Sequence, residues 1–215
     1  MKTVALVCCA FISMAFYCIR PDRDYDFTYE TLITDIPVNL EKLNTAYNDY
    51  NSDLPYPGTR KDFYFSSDRN SSGDNFDIIF KSADISYHEK DDALNFSFPS
   101  NSSNSSYENK LFALVNKSSN ELGPYHFNGW EGWDYFLYAD DEGKDFDMKI
   151  ISAKRSDWGV YQAKELLYGP LTLNALNSDY DDLYPSINEE NSKIYFCSDR
   201  ENDQFDIYYG EINTA

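Results

Sequence analysis

A hairpin phrase that returns along the chain leaves little freedom in what it can fold into. From Lys193 to Ile212 the residues read KIYFCSDRENDQFDIYYGEI. Ile194, Phe196 and Ser198 alternate with Tyr195 and Cys197. After the polar run Asp199 to Gln204, Phe205, Ile207 and Tyr209 alternate with Asp206 and Tyr208, the period-two pattern of paired strands. Asp and Asn bond their own backbone and tolerate unusual dihedrals, so the polar run ends one strand and starts the next. The phrase occurs earlier as DFYFSSDRNSSGDNFDIIF, Asp62 to Phe80, and in weaker form as DYFLYADDEGKDFDMKI, Asp134 to Ile150. Aligned on sequence, Phe63, Tyr135 and Ile194 coincide. So do Asp68, Asp140 and Asp199, and the Phe-Asp pairs Phe76-Asp77, Phe146-Asp147 and Phe205-Asp206. A prefix recurs as well: LNTAYNDYNSDLP from Leu43, LNSDYDDLYPSIN from Leu176, and a degenerate ELGPYHF from Glu121. Repeats of this size mean stacked units, each unable to bury its own face.

The order Leu-Asn-Ser, Asp-Asp-x-x-Pro, polar turn, Ile-Tyr-Phe-x-Ser-Asp-Arg and Phe-Asp-Ile-Tyr resembles the WD-like repeats of TolB-type β-propellers, found in exported proteins of Gram-negative bacteria. Asp182, Pro185, Ser198, Asp199, Arg200, Asp206 and Tyr208 fall on that pattern, and Trp158-Gly159 sits where such repeats often have a Trp. The resemblance covers most of the chain from about Val38. The first copy departs from it with Ser52 at the Pro185 position, and the second with Asp141 at the Arg69 and Arg200 position. It implies an all-β fold of four-stranded antiparallel blades, with units of about 37–86, 87–155 and 156–215. Propellers usually need at least four blades to close, so a partial propeller is expected. Protein partners in the cell envelope are implied as well.

The chain opens with Met1-Lys2, an apolar run from Thr3 to Ile19 and a charged segment from Arg20. That is the shape of an export signal over 1–19, followed by a lead segment over 20–36. The expected location is the periplasm or outer-membrane surface, with contact to the membrane only through a signal or lipid anchor. Cys18 is a candidate for lipid attachment, although Tyr17 is a poor fit to the small residue that processing prefers; the alternative is that Cys18 simply ends the apolar run. Cys197 would then be the thiol of the folded domain, which leaves no disulfide framework there.

Net charge is −19, from 37 acidic against 18 basic side chains. Such a surface repels a phosphate backbone, which argues against nucleic acid as a partner. Between the first two copies, LNFSF and KLFALVN read as two strands separated by the low-complexity loop PSNSSNSSYEN. DWGVYQAKELLYG, between Ser156 and Gly169, fits helical spacing, but the repeat argues for a strand.

Chemistry is sparse. G-x-S-x-G, H-E-x-x-H, a phosphate-cradling glycine loop and C-x-x-C are all absent, and His88 and His126 read as loop residues, so a non-enzymatic role is expected. Asp140, Asp145 and Asp147 crowd a turn with Gly143 and could offer calcium hard oxygen ligands. Their spacing is not that of a calcium loop, so turn-forming Asp, with no metal or other cofactor, is the preferred reading. Arg69 and Arg200 are expected to pair with Asp77 and Asp206 across their own hairpins, which makes Asp68, Arg69, Asp77, Asp140, Asp147, Asp182, Pro185, Asp199, Arg200 and Asp206 structural. Trp130, Trp133 and Tyr135 can either fill the space between sheets or form a sugar-stacking platform. The function expected is therefore a binding or scaffold module for envelope proteins, with glycan binding and a carboxylate glycosidase as alternatives.

Overall fold

Alternation in the hairpin phrases becomes antiparallel sheet. The computed structural model describes residues 39–53, 60–88, 93–99, 106–129, 133–154, 167–188 and 192–211. Cys18 and the rest of the proposed export segment, Trp130, and Trp158-Gly159 lie outside them. Strands β1 (Asp49–Asp53), β2 (Arg60–Ser67), β3 (Asp77–His88) and β4 (Ala93–Ser97) form one sheet in that order. Strands β5 (Glu121–Asn128), β6 (Trp133–Asp140), β7 (Asp147–Lys154) and β8 (Leu167–Thr172) form a second, and β9 (Asp182–Asn188), β10 (Lys193–Glu201) and β11 (Gln204–Glu211) a third. All neighbours are antiparallel and consecutive in the chain. The sheets run past the boundaries expected at 86 and 155, since β4 completes the first and β8 the second.

The last hairpin turns on Asn202 and Asp203, both left-handed at φ 62° and 53°. Two such residues match the right-handed twist of the strands they join, a turn that Asn and Asp enter more readily than bulkier residues. The two histidines are strand residues, not loop residues: His88 ends β3, and His126 lies in β5 with its ring edge-on to Tyr64.

The second sheet packs against both others. Its β6 buries Phe136, Leu137, Tyr138 and Ala139 in succession, so both faces of that strand are covered. One face meets Tyr64, Ile78 and Phe80 of the first sheet. The other meets Leu183, Ile194 and Phe196 of the third. Each fully buried side chain of this size contributes about 1.5–3 kcal/mol of burial free energy, which fixes the order of the layers.

KLFALVN is not a strand. Residues Ser106–Val115 form helix α1, because Tyr107, Leu111 and Val115, one turn apart, fill the gap between the first two sheets. A short apolar run fits either period, and here the shape of the gap decides. Glu108 in the first turn suits the positive end of the helix.

Just past α1, Asn116 clasps the first sheet: its Oδ1 accepts from Ile78 N at 2.9 Å and its Nδ2 donates to Ile78 O at 3.0 Å. Asn177 does the same to Met148 of the second sheet, at 3.0 Å for both bonds. Four residues on, Asn120 Oδ1 accepts from Phe76 N at 3.0 Å and Asp181 Oδ1 from Phe146 N at 2.9 Å. The next residue closes each clamp, as Glu121 N donates to Phe76 O and Asp182 N to Phe146 O, both at 2.8 Å. At Ile78 the Asn amide replaces the peptide of a missing neighbouring strand, since β4 does not reach this end of β3, whereas at Met148 it extends the end of β8, whose next residue Leu173 also donates its N to Met148 O at 3.0 Å. Asn116→Ala should therefore cost about 2 kcal/mol in urea unfolding, the backbone N and O of Ile78 losing their partner at once. A loss below a few tenths would mean that water replaces the amide without penalty.

Candidate functional site

Each first strand carries the same irregularity. Asn51 in β1, Gly123 in β5 and Tyr184 in β9 are left-handed at φ 56°, 62° and 58°, and the pairing register shifts beside each. Such bulges bend the strand and re-aim the side chains that follow. The bends bring three short stretches together around a cavity of about 290 Å³: Asn51 to Asp53, Gly123 to Tyr125 and Tyr184 to Ser186.

Gly123 is required there. A Cβ at this position would stand 2.9 Å from Tyr184 Cα, in a backbone conformation that already disfavours one. Gly123→Ala should cost about 2 kcal/mol of stability by thermal or urea unfolding, half from φ and half from the forced separation of β5 and β9. Wild-type stability in that variant would show that the two strands separate freely.

Asp53 supplies the charge of the cavity. Its Oδ2 accepts from His126 N at 2.8 Å, and burial pushes its carboxyl up to about 6, against the pull of that bond. The Asn51 amide nitrogen is buried there without a hydrogen-bond acceptor. Tyr125 and Tyr184 form walls, and the Tyr125 hydroxyl donates to Ile187 O at 3.1 Å. The arrangement can accept a proton or an ammonium at Asp53 and donate from Asn51, in a space suited to one side chain or a chain end.

The recurring charged residues hold the sheets instead. Arg69 is paired with Asp49, not Asp77, and Arg200 with Asp182, not Asp206, at 2.6 Å. Each arginine reaches back to the first strand of its sheet. Its Nε donates to Ser67 or Ser198 Oγ at 2.9 Å, and its Nη2 to Leu43 O at 2.9 Å or Leu176 O at 2.6 Å. The carboxylates cap the loop before them: Thr45 N donates to Asp49 at 2.7 Å and Ser178 N to Asp182 at 2.6 Å. Against the upward push of burial, the bonds from Ser67, Arg69 and Thr45 hold Asp49 below its usual range.

The alignment of the second copy shifts by one residue. Ser67, Asp140 and Ser198 occupy one position by strand register. It is therefore Asp141, not Asp140, that matches Asp68 and Asp199. Asn48 N donates to Asp68 at 2.8 Å, Asn120 N to Asp141 at 2.7 Å and Asp181 N to Asp199 at 3.0 Å. Tyr135 shifts likewise: Phe136 is the partner of Phe63 and Ile194. Glu142 thus stands where the other copies have arginine, and Glu121 where they have Asp49 and Asp182. Lys149 compensates from β7, with its Nζ 2.8 Å from Asp140 and 3.1 Å from Glu142.

The other sequence candidates separate. Asp77 accepts from Asn70 at 3.0 Å, Asp206 is exposed on β11, and Pro185 lines the cavity. Asp147 begins β7 half-buried, its carboxyl raised by burial and by Asp145. With Asp140 held by Lys149, the three calcium candidates do not converge, and no group of three or more His, Cys, Asp or Glu among the described residues could hold one metal ion. Tyr135 stacks on Phe127 at 5.0 Å, whereas Trp133 lies under Lys154 and beside the exposed Tyr168 at 5.6 Å. Cys197 is a free, half-buried thiol on β10. No helix among the described residues is long and apolar enough to cross a membrane.

Sequence reasoning passed over the clamp asparagines and the cavity residues Asn51, Asp53, Gly123 and Tyr184. The clamps had a signal: Asn, three residues, Asn or Asp, then an acid, at Asn44-Asn48-Asp49, Asn116-Asn120-Glu121 and Asn177-Asp181-Asp182. No known protein family, curated protein or solved structure matches this chain.

Proposed function

We propose that the chain is a non-catalytic binding or scaffold module, its sheets the blades of an incomplete propeller similar to the TolB type, exported and engaging protein partners in the cell envelope through the cavity where the first strands meet. One observation carries this reading. The clamp positions keep their chemistry in every copy, as Asn44, Asn116 and Asn177, then Asn48, Asn120 and Asp181, then Asp49, Glu121 and Asp182, whereas the cavity positions vary: Asn51, Gly123 and Tyr184; Asp53, Tyr125 and Ser186; and Ser52 against Pro124 and Pro185. A surface that departs from its own repeat is where recognition is free to specialise.

Capture from Gram-negative envelope extracts by the immobilised chain tests this, with Asp53→Lys as control. A protein retained by the wild type and lost from the variant supports it; capture indifferent to Asp53 sinks the cavity as the site. Mass spectrometry of the mature N-terminus tests export: an acylated Cys18 supports a lipid anchor, and an intact Met1 a retained one.

Trp133 and the exposed Tyr168 favour a second reading, stacking on a glycan. Retention on a glycan array that Tyr168→Ala abolishes would select it.

A further inference from the structure

The two internal junctions share one pattern, and each of its halves recurs once more without such a mate among the described residues. The donor half is a phenylalanine and the apolar residue two places on: Phe76 and Ile78, then Phe146 and Met148. The receiver half is the asparagine pair with its acid. By register, the third sheet repeats the donor half at Phe205 and Ile207 on β11, its edge strand. Before the first sheet stands a third receiver, Asn44, Asn48 and Asp49.

Both are open to solvent. Ile78 and Met148 are 1% and 0% exposed, whereas Ile207 is 78% exposed, with Phe205 at 54% and Tyr209 at 57%. On the receiver, Asn44 and Asn48 are exposed. Asn48 gives its Nδ2 to Asp68 at 2.6 Å, as Asn120 gives its own to Asp141 at 2.7 Å. In Asn120 the Oδ1 then receives Phe76 N, so the equivalent oxygen of Asn48 is set for the same bond. The turn that carries Asn44 is likewise formed: Leu43 N and Asn44 N donate to Leu40 O, as Leu176 N and Asn177 N donate to Leu173 O.

We infer that β11 of one copy docks into the Asn44-Asn48-Asp49 receiver of a second copy, head to tail, with Phe205 and Ile207 taken as Phe76 and Ile78 are. This rests on reading the sheets as propeller blades. The second copy is the occupant because the chain carries both halves, each already mated twice inside it. A contact between two different patches forms a ring if its rotation closes and a filament if it does not. The three sheets among the described residues fall short of the roughly 4–8 that radial arrays use, while two copies joined at both ends bring six, within that range. A closed dimer leaves neither half exposed.

Light scattering and sedimentation of the full chain test this. The wild type should be a dimer. Ile207→Asp should weaken association by about tenfold or more, and so should Asn44→Ala combined with Asn48→Ala, with unfolding midpoints close to those of the undissociated fold. Mixed, the two variants should recover a dimer, since one intact donor still meets one intact receiver. A wild-type monomer at all concentrations overturns the inference. So does association that both variants retain, as the apolar run 3–19 would produce, or a large stability loss in monomeric Ile207→Asp, which would mean that the chain's own residues cover this face. Partner capture by a monomeric wild type would leave the binding role standing while this inference fails.

Discussion

Asp182→Ala should lower stability by about 3–5 kcal/mol, because it strands a guanidinium whose surroundings were built around that carboxylate. Asp182 is fully buried, and its two oxygens take Arg200 Nη2 at 2.6 Å, Ser178 N at 2.6 Å and Ser178 Oγ at 2.9 Å. Arg200 is itself held over the rings of Phe196 and Tyr208, 5.2 and 4.8 Å from their centroids, so it cannot swing to water without giving up that packing. The loss should show as a lower urea midpoint with an unchanged slope. Arg200→Ala in the same background should cost much less than it does alone. Additive losses would mean that the two residues act separately, and that the resemblance between this pair and Arg69-Asp49 carries no energetic content.

The middle sheet lost this device, and its stability should therefore fall as pH rises. Glu121 occupies the position of Asp182 with no arginine opposite. Its Oε1 accepts from Ser119 Oγ at 2.6 Å and Lys117 N at 3.3 Å, while its Oε2 is buried without a partner. Burial pushes this carboxyl up from 4.5 to about 8, with Asp77 and Asp140 adding to the shift against those two bonds. A raised carboxyl keeps its proton in the folded chain after the unfolded chain has released it. Its contribution is thus neutral below the unfolded value, and stability declines between about pH 4.5 and 8, then levels off. Asp53, raised to about 6, acts in the same direction between 3.8 and 6. Glu121→Gln should remove the decline above pH 6 and leave the chain more stable at pH 8, by on the order of 2–4 kcal/mol. Equal stability of variant and wild type at pH 8 would show that the carboxylate finds a partner or water when it ionises.

What the sequence determined is local in origin. Alternation with a period of two makes Lys193–Glu201 and Gln204–Glu211 a hairpin wherever they are placed, and Asn202-Asp203 provides its turn. The recurring acids likewise announced three related units, two of them with the serine and arginine as well, and the asparagines that join the units carry a fixed spacing that sequence reasoning passed over. Tertiary structure decided the rest. KLFALVN suits either regular structure, and only the space between two sheets made it α1. A slip of one residue moves every side chain to the opposite face, so only strand pairing could show that Asp141 takes the Asp68 position and that Glu142 replaces an arginine. The arginines chose Asp49 and Asp182 over nearer acids because the first strand of each sheet, eighteen or more residues back in the chain, lies closer in space than the far side of the turn. The cavity at Asp53 is the least local feature. It needs three left-handed residues in three strands to meet around one space, and no single repeat holds that information.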